Sequence, residues 1–140
     1  MNELERRITA SFNAQGLMQT LDAELIQISP GEVHIALPFA ARLSQQHGFM
    51  HAGAITSVVD SACGYAALTR APDYHEVVSA EFKINFLRPA LGERFVAIGC
   101  VENAGRQLTV CRGEVRAFAD VSDAYKVIAL MQATIVNVAQ

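Results

Sequence analysis

The 140-residue sequence predicts an α+β fold in which a curved antiparallel sheet of about five to six strands wraps one long helix. Residues 51–69 are almost entirely small or apolar and have the length of a helix. A helix that is apolar on nearly every face must be surrounded by other elements. After residue 73 the pattern changes to extended segments separated by turns, which are typical of an antiparallel sheet. A sheet folded around the helix satisfies both observations.

The first half of the chain predicts an N-terminal helix and a hairpin that precede the long helix. Leu4, Ile8 and Phe12 recur every four residues, which is the spacing of one apolar stripe on a helix. Between residues 33 and 37 apolar residues alternate with others, and Pro38 ends that strand. The predicted elements are a helix at residues 3–13, strands at 18–28 and 33–37, a turn at 29–32 and a loop at 39–50.

The second half predicts four strands joined by turns. Phe82, Ile84 and Phe86 alternate with polar residues before Pro89 ends their segment. The predicted strands lie at residues 82–86, 95–101, 108–118 and 125–138, with a tight turn at 103–106. The length is too short for two well-packed cores. We therefore expect one domain over residues 1–140, with the N-terminal helix within residues 1–15.

The composition argues against several classes of protein. Hydrophobic residues make up 51% and charged residues 18%, which indicates a packed interior rather than disorder. The net charge of −3 argues against a nucleic-acid partner, because neutralising phosphates requires a basic face. Up to Glu81 there are four Lys/Arg and nine Asp/Glu, and from Phe82 onward there are seven and five. The second half could supply cations to an anionic ligand, although a mixed solvated surface explains the same pattern.

The cysteines and the N-terminal residues favour a cytoplasmic location. Cys63, Cys100 and Cys111 are an odd number without a close pair, unlike a disulfide framework. The start is charged from its third residue and lacks the apolar region of a secretory signal. The sequence contains no run of about 18 apolar residues, so we expect no membrane-spanning helix.

Asp60 is the only formal charge between Arg42 and Arg70, and it lies near the middle of the predicted apolar helix. An ionised carboxylate is costly to bury unless it is paired or hydrogen-bonded, and nothing nearby in sequence can pair with it. Asp60 therefore faces either water at an edge of the helix or a ligand cavity. The second option makes it a candidate catalytic residue, because acids in unusual environments cluster at active sites.

The start of this helix, residues 51–54, combines backbone amides with small side chains. The first N–H groups of a helix lack partners within it and can stabilise an oxyanion, although close packing against a strand also explains small residues. Ala52 and Asp60 are about 12 Å apart along a helix, whereas an attacking group and an oxyanion donor must both lie near one atom. If Asp60 and the amides at the helix start act on the same atom, we expect a symmetric dimer in which each of two sites is shared between the chains.

Two segments resemble a known family. Residues 45–53, Gln-Gln-His-Gly-Phe-Met-His-Ala-Gly, followed by Asp60, resemble the signature of PaaI-like acyl-CoA thioesterases of the hotdog superfamily. Residues 78–90 resemble the family's next strand, and the order of elements agrees from about Gly16 to Val138. The resemblance implies a hotdog fold and a homodimer that could pair into a tetramer. It also implies hydrolysis of the thioester of an acyl- or aryl-CoA to a free acid and CoA, without a metal or cofactor.

The resemblance assigns the reacting groups by position. Asp60 matches the acid that acts as nucleophile or general base on the thioester. Ser79 matches a hydroxyl that orients the attacking water. Gln45 lies where relatives carry a polar group near the thioester. These three assignments come from the family and not from the spacing of the residues.

The resemblance also assigns the oxyanion hole to the helix start. The backbone N–H of Ala52 or Gly53 matches the oxyanion donor across the dimer interface, and His51 matches a histidine that shapes this hole. Many relatives carry glycine where this chain has Ala52. Alanine retains the amide, although its methyl group narrows the approach of the thioester.

Candidate binding residues follow from position and residue type. Arg88 and Arg106 lie at predicted strand ends in the more basic half and could bind the CoA phosphates. Phe49 and Met50 could line an acyl pocket, although they fit a hydrophobic core equally well. The sequence does not indicate which acyl group is bound.

Other functions are weaker alternatives. His47 and His51 have a zinc-like spacing, but Gly48 between them disfavours a continuous helix. Cys63 in an alanine-rich helix is more typical of a small core residue than of a nucleophile. A hotdog hydratase or dehydratase could use a histidine and an acid. A non-catalytic acyl-CoA sensor could keep the pocket without turnover.

Overall fold

The computed structural model describes residues 1–119 and 121–140, and its strands form one antiparallel sheet in the order β1-β2-β4-β5-β6-β3. The helices are α1 (Glu3–Ala14), α2 (Gly16–Thr20) and α3 (Ala52–Leu68), with a 3-10 turn at Ala41–Leu43. The strands are β1 (Glu24–Ser29), β2 (Glu32–Pro38), β3 (His75–Phe86), β4 (Arg94–Ala104), β5 (Leu108–Phe118) and β6 (Tyr125–Ala139). The predicted α+β fold, with a six-stranded sheet packed on a long helix, is confirmed.

The predicted strand at residues 18–28 is wrong in its first half. Residues 16–20 form α2, and the strand begins only at Glu24. Met18 is buried and Leu21 nearly so, and their spacing is helical. The chain then turns at Asp22, whose φ of 56° is incompatible with a continuing helix. β3 also starts earlier than predicted, at His75 rather than at residue 82.

Two glycines let α3 approach the sheet closely. A Cβ at Gly99 on β4 would lie 2.4 Å from the backbone carbonyl of Ala62, and one at Gly113 on β5 would lie 2.6 Å from Val59. Glycine weakens a strand unless close approach requires it. The contact therefore fixes both the distance and the rotation of α3 relative to the sheet.

The helix α3 is not enclosed on every side. Val58, Val59, Ala62 and Cys63 are fully buried. The opposite side carries a stripe of small and polar residues that remain partly accessible in the single chain: Thr56, Ser57, Asp60, Ser61 and Gly64. The expectation of a helix surrounded on nearly all faces is thus wrong for this stripe, because hydroxyls and a glycine make it less apolar than the overall composition indicates.

The strand β3 lies at one edge of the sheet. β6 pairs with one side of it, and no strand of residues 1–119 or 121–140 pairs with the other side. Phe82 and Phe86 pair with Ala133 and Ala129 and face the helix side, yet they are 40% and 45% exposed. An exposed apolar edge strand invites pairing with another chain.

Among the helices described, none has the length and the hydropathy that crossing a bilayer requires.

The contact of α3 with β4 gives a test of the fold. Gly99→Ala should lower the free energy of unfolding by about 3 kcal/mol, because the new methyl group overlaps the Ala62 backbone. Gly64→Ala is the matched control, since the site of its Cβ has no described atom within 4 Å. This variant should be neutral or more stable by up to about 1 kcal/mol, because alanine is the better helix former. Urea unfolding at one fixed protein concentration compares the variants. Equal stability of the two would refute the close contact.

Candidate active site

Asp60 lies on the partly accessible stripe of α3 and is hydrogen-bonded to β3. The Ser79 hydroxyl donates to Oδ1 of Asp60 at 2.7 Å. The side chain of Asp60 is therefore neither free in water nor buried without a partner. Its partner is distant in sequence, which is why the neighbouring residues gave no indication of it.

A bulge in β3 aims Ser79 at the helix. The register of β3 against β6 shifts between Ser79 and Glu81, so that Ala80 is the extra residue. Strand side chains alternate between faces, and without the bulge Ser79 would lie on the opposite face from Phe82. With it, both residues face the α3 side of the sheet. The hydrogen bond between Ser79 and Asp60 depends on this single inserted residue.

A cleft of about 230 Å³ opens beside the Asp60–Ser79 pair. It lies between α3, β3 and the C-terminal end of α1. Most of its lining is polar; the lining residues are Ser11, Gln15, Asp60, Ser61, Gly64, Tyr65, Leu68, Glu76, Val77 and Ser79. A substrate in this cleft would meet the carboxylate directly.

The start of α3 keeps one amide available. His51 is the N-cap, and its Nδ1 accepts from the Gly53 N–H at 2.7 Å. The accepting Nδ1 carries no proton, so a neutral ring carries its proton on Nε2. The N–H groups of Ala54 and Ile55 donate to the His51 carbonyl. The Ala52 N–H has no hydrogen-bond partner within the described chain, so Ala52 is a better oxyanion donor than Gly53.

Ala52 and Asp60 both lie on α3, eight positions apart. At a rise of 1.5 Å per residue this separates them by about 12 Å. The structure of one chain therefore does not bring the free amide and the acid to a common atom.

The loop before α3 is held by Gln45. Its side-chain carbonyl accepts from the N–H groups of His47 at 2.5 Å and Phe49 at 3.3 Å. Gly48 has a φ of 86°, so His47 and His51 do not share one helix. This geometry removes the helical spacing that suggested zinc. Gln45 has a clear structural role, and only its amide NH₂ remains to meet a ligand.

The two predicted pocket residues separate in the structure. Phe49 lines a mainly apolar groove of about 700 Å³ together with Arg88, Pro89 and Leu91. Met50 is only 2% exposed and belongs to the core. The core interpretation is therefore correct for Met50, whose contact with a ligand would require the core to open.

Arg88 and Arg106 lie at opposite ends of the sheet. Arg88 donates to the Val127 carbonyl, and the Arg106 carbonyl accepts from Asn137, ten residues further along β6. A strand of that length spans roughly 30 Å. Arg88 lies at the end near the loop before α3, because Met50 N–H donates to the Ala90 carbonyl nearby. Arg106 lies at the end near Ser79.

Several residues of the cleft were not predicted from sequence. Ser11 lies on α1 and Gln15 directly follows it, and the apolar stripe of that helix indicated only a packing role. Glu76 also lines the cleft, where its carboxylate accepts from Arg7 at 3.0 Å and from Gln140 at 2.9 Å. Polar residues at positions 11, 13 and 15 are the one sequence signal, and such a pattern is too common to identify a site.

The thiols are not suited to act as nucleophiles. Burial raises the pKa of Cys63, which lies on α3 close to Asp60, far above its ordinary value. Burial also raises the pKa of Cys100 to about 11 and that of Cys111 to about 12. The reactive form of cysteine is the thiolate, which such values suppress near neutral pH.

Comparison with known proteins identifies the family. Residues 47–122 match the thioesterase superfamily. A crystal structure of a thioesterase family protein from Silicibacter pomeroyi is 41% identical and superposes with a TM-score of 0.94, covering 98% of this chain and 99% of that one. The PaaI protein from the phenylacetic acid degradation operon of Escherichia coli has the same fold, with a TM-score of 0.84 at 21% identity over 96% and 93% of the two chains.

A curated relative carries a more specific name. The medium/long-chain acyl-CoA thioesterase YigI of Escherichia coli K12 is 29% identical over 79 residues, which are 47% of this chain and 51% of YigI. The fold and the family match place the chain among the hotdog-fold hydrolases. The chain belongs to the thioesterase superfamily.

The assignment of the thiols can be tested by alkylation. At pH 7.5 iodoacetamide should leave Cys63 and Cys111 unmodified in the folded protein, because burial keeps both thiols protonated and inaccessible. The same reagent in urea should modify all three cysteines, which serves as the control. Mass spectrometry of the peptides measures both. Rapid modification of Cys63 in the folded protein would return cysteine to the list of candidate nucleophiles.

Proposed function

We propose that the protein hydrolyses acyl-CoA thioesters, with Asp60 as the central catalytic residue. The observation that carries this proposal is the hydrogen bond from Ser79 to Asp60 at the mouth of a cleft. A carboxylate held by one hydroxyl keeps its second oxygen available for chemistry. Membership of the thioesterase superfamily and the name of the YigI relative support the thioester as the bond that is cleaved.

The arrangement supports attack on a thioester carbonyl. The Asp60 carboxylate either takes a proton from water, which then attacks the carbonyl carbon, or attacks that carbon itself. Either route places negative charge on the carbonyl oxygen. The Ala52 N–H can donate to this oxyanion, and such a donor is typically worth about 3 kcal/mol. Collapse of the intermediate breaks the carbon–sulfur bond and releases CoA as the thiol after protonation. The general-base route yields the free acid directly, whereas on the nucleophilic route water must then hydrolyse the acyl–Asp60 anhydride to release the acid and restore the carboxylate.

We propose that each site is shared between two chains. The distance along α3 prevents one chain from supplying both Ala52 and Asp60 to one carbonyl. The exposed edge of β3, with Phe82 and Phe86 uncovered on the side of the helix, offers a surface for a second copy. In a twofold dimer the same contact occurs twice and generates two equivalent sites. Such dimers could pair further into tetramers.

A shared site also brings together the two candidate phosphate ligands. Arg88 lies at the same end of the sheet as the start of α3, and Arg106 lies at the same end of the sheet as Ser79. A site built from the helix start of one chain and Asp60 of another would therefore include Arg88 of the first chain and Arg106 of the second. This proposal gives both residues a place near one CoA, which the single chain does not.

Replacement of the acid tests the mechanism. Asp60→Asn should lower kcat for acyl-CoA hydrolysis by about a thousandfold, because the amide neither attacks nor accepts a proton from water. Ser79→Ala should lower it by about tenfold, since the hydroxyl only orients its partner. Asp73→Asn, an exposed turn residue, is the control and should leave kcat unchanged.

Release of CoA is followed spectrophotometrically, and circular dichroism checks the fold of each variant. Near wild-type turnover by Asp60→Asn would remove Asp60 from the mechanism. If the wild-type protein binds acyl-CoA but does not hydrolyse it, the sensor becomes the better assignment.

Complementation tests the sharing of sites. Ala52→Pro removes the free amide while proline is tolerated in the first turn of a helix, and His51 already has an extended ψ of 138°. Both Ala52→Pro and Asp60→Asn should be nearly inactive alone. After exchange of subunits at equal amounts, half of the dimers are mixed and each has one intact site. Activity should therefore recover to about one quarter of the wild-type value.

The control is Ala52→Gly, which retains the backbone amide and should therefore be active without a second variant. The mixed dimers are quantified by native mass spectrometry. Inactive mixed dimers whose component variants remain folded would show that the acid and the amide do not act across an interface.

A further inference from the structure

The wall of the cleft facing Asp60 is a connected polar network. Tyr65 is only 8% exposed, and its hydroxyl is 3.1 Å from Ser11 Oγ and accepts from Gln15 Nε2 at 3.1 Å. Ser61, next to Asp60 on α3, donates to the Gln15 side-chain carbonyl at 3.2 Å. Ser11 and Gln15 are thereby held in fixed positions at the far side of the cleft.

This network leaves two donor protons without a hydrogen-bond partner among the described residues. Ser11 and Tyr65 share one hydrogen bond, so one of their two hydroxyl protons remains unused whichever of them donates. Gln15 Nε2 has two protons, of which one goes to Tyr65. The described chain provides no acceptor for either of the remaining protons. A ligand oxygen in the cleft would satisfy them.

The part of the cleft that one chain forms is small. A volume of about 230 Å³ lies below the range of about 300–1,000 Å³ that is usual for drug-sized ligands. Gly64 lies one turn after Asp60, and no described atom comes within 4 Å of where its Cβ would be. A glycine within a helix is unfavourable by about 1 kcal/mol relative to alanine, and no neighbour of Gly64 in the described chain requires it. The space above Gly64 fits the first carbons of a short acyl group.

We propose that Ser11, Gln15 and Tyr65 select a short acyl group that carries an oxygen beyond the thioester carbonyl, as in hydroxyacyl or oxoacyl thioesters. This inference rests on the proposed acyl-CoA hydrolysis at Asp60. It makes Tyr65 and Gln15 specificity-determining residues. It also distinguishes this protein from a hydrolase of medium or long alkyl chains, which would place an apolar chain against unsatisfied donors.

The test compares kcat/KM for butanoyl-CoA, 3-hydroxybutanoyl-CoA and octanoyl-CoA. The wild-type protein should prefer the hydroxylated over the plain four-carbon substrate by about tenfold, which is the effect of one good hydrogen bond. Octanoyl-CoA should be the poorest of the three. In Tyr65→Phe the ratio for the four-carbon pair should fall to about one, whereas Tyr74→Phe, an exposed tyrosine, should keep the wild-type ratio.

Gln15→Met, which keeps the length of the side chain, provides a second variant if Tyr65→Phe fails to fold, and it should also lose the preference. Equal rates for the four-carbon pair, or a preference for octanoyl-CoA, would overturn the inference and leave the thioesterase assignment intact. An unchanged ratio in both variants would remove these residues from substrate selection. Absence of hydrolysis of all three substrates by the wild-type protein would instead reject the proposed function, and the inference with it.

Discussion

The close contact between α3 and the sheet is the constraint on which the site depends. Gly99 and Gly113 accept the backbone of Ala62 and the side chain of Val59 at distances that no Cβ would allow. Each residue advances a helix by about 100°, so fixing these two residues against the sheet also fixes the direction of Asp60. Asp60 then points sideways toward β3 and α1 and away from the core. The carboxylate is placed by glycines that never touch it.

Several features of the single chain are locally unfavourable, and they lie on the same side of the molecule. Phe82 and Phe86 are exposed on an unpaired edge, Gly64 weakens the helix that carries the acid, and the Ala52 amide lacks a described partner. Proteins tend to depart from local stability rules where function requires it. A second chain would cover the exposed edge of β3, and a bound acyl group would fill the space at Gly64 and accept from the Ala52 N–H. One assembled site would therefore explain all three unfavourable features.

Much of the fold could be predicted from the sequence, because most helices and strands are determined by the pattern of apolar and polar residues within each segment. The strand over residues 108–118 and the long helix were predicted closely, since alternation and helical length are properties of neighbouring residues. Asp60 stood out because a charge in an apolar segment is visible without a structure. The segment at residues 18–28 was misassigned because its apolar residues fit a short helix and a strand almost equally well.

The remaining features depend on contacts that sequence patterns do not contain. The bulge at Ala80 decides which face Ser79 occupies, and a single inserted residue leaves no periodic signal. Ser11 and Gln15 reach the cleft only because α1 packs beside Tyr65, where Phe12 and Tyr65 have ring centroids 6.2 Å apart. Met50 and Phe49 are neighbours in sequence, yet one lies in the core and the other lines a groove.

The length of α3 links assembly to chemistry. If the acid lay within one turn of the helix start, one chain could place both the carboxylate and the free amide near one carbonyl, and no second chain would be needed. Here the acid lies more than two turns into the helix, at the position where the sheet contact and the bulged β3 converge on it. The same displacement puts Asp60 next to the polar wall formed by Ser11 and Gln15. Under the proposed mechanism, the acid then has a substrate cleft within its own chain and would depend on a second chain for the oxyanion donor. Under the proposed mechanism, substrate selection would belong to one protomer and stabilisation of the developing charge to the other, which would make formation of the dimer a condition for turnover.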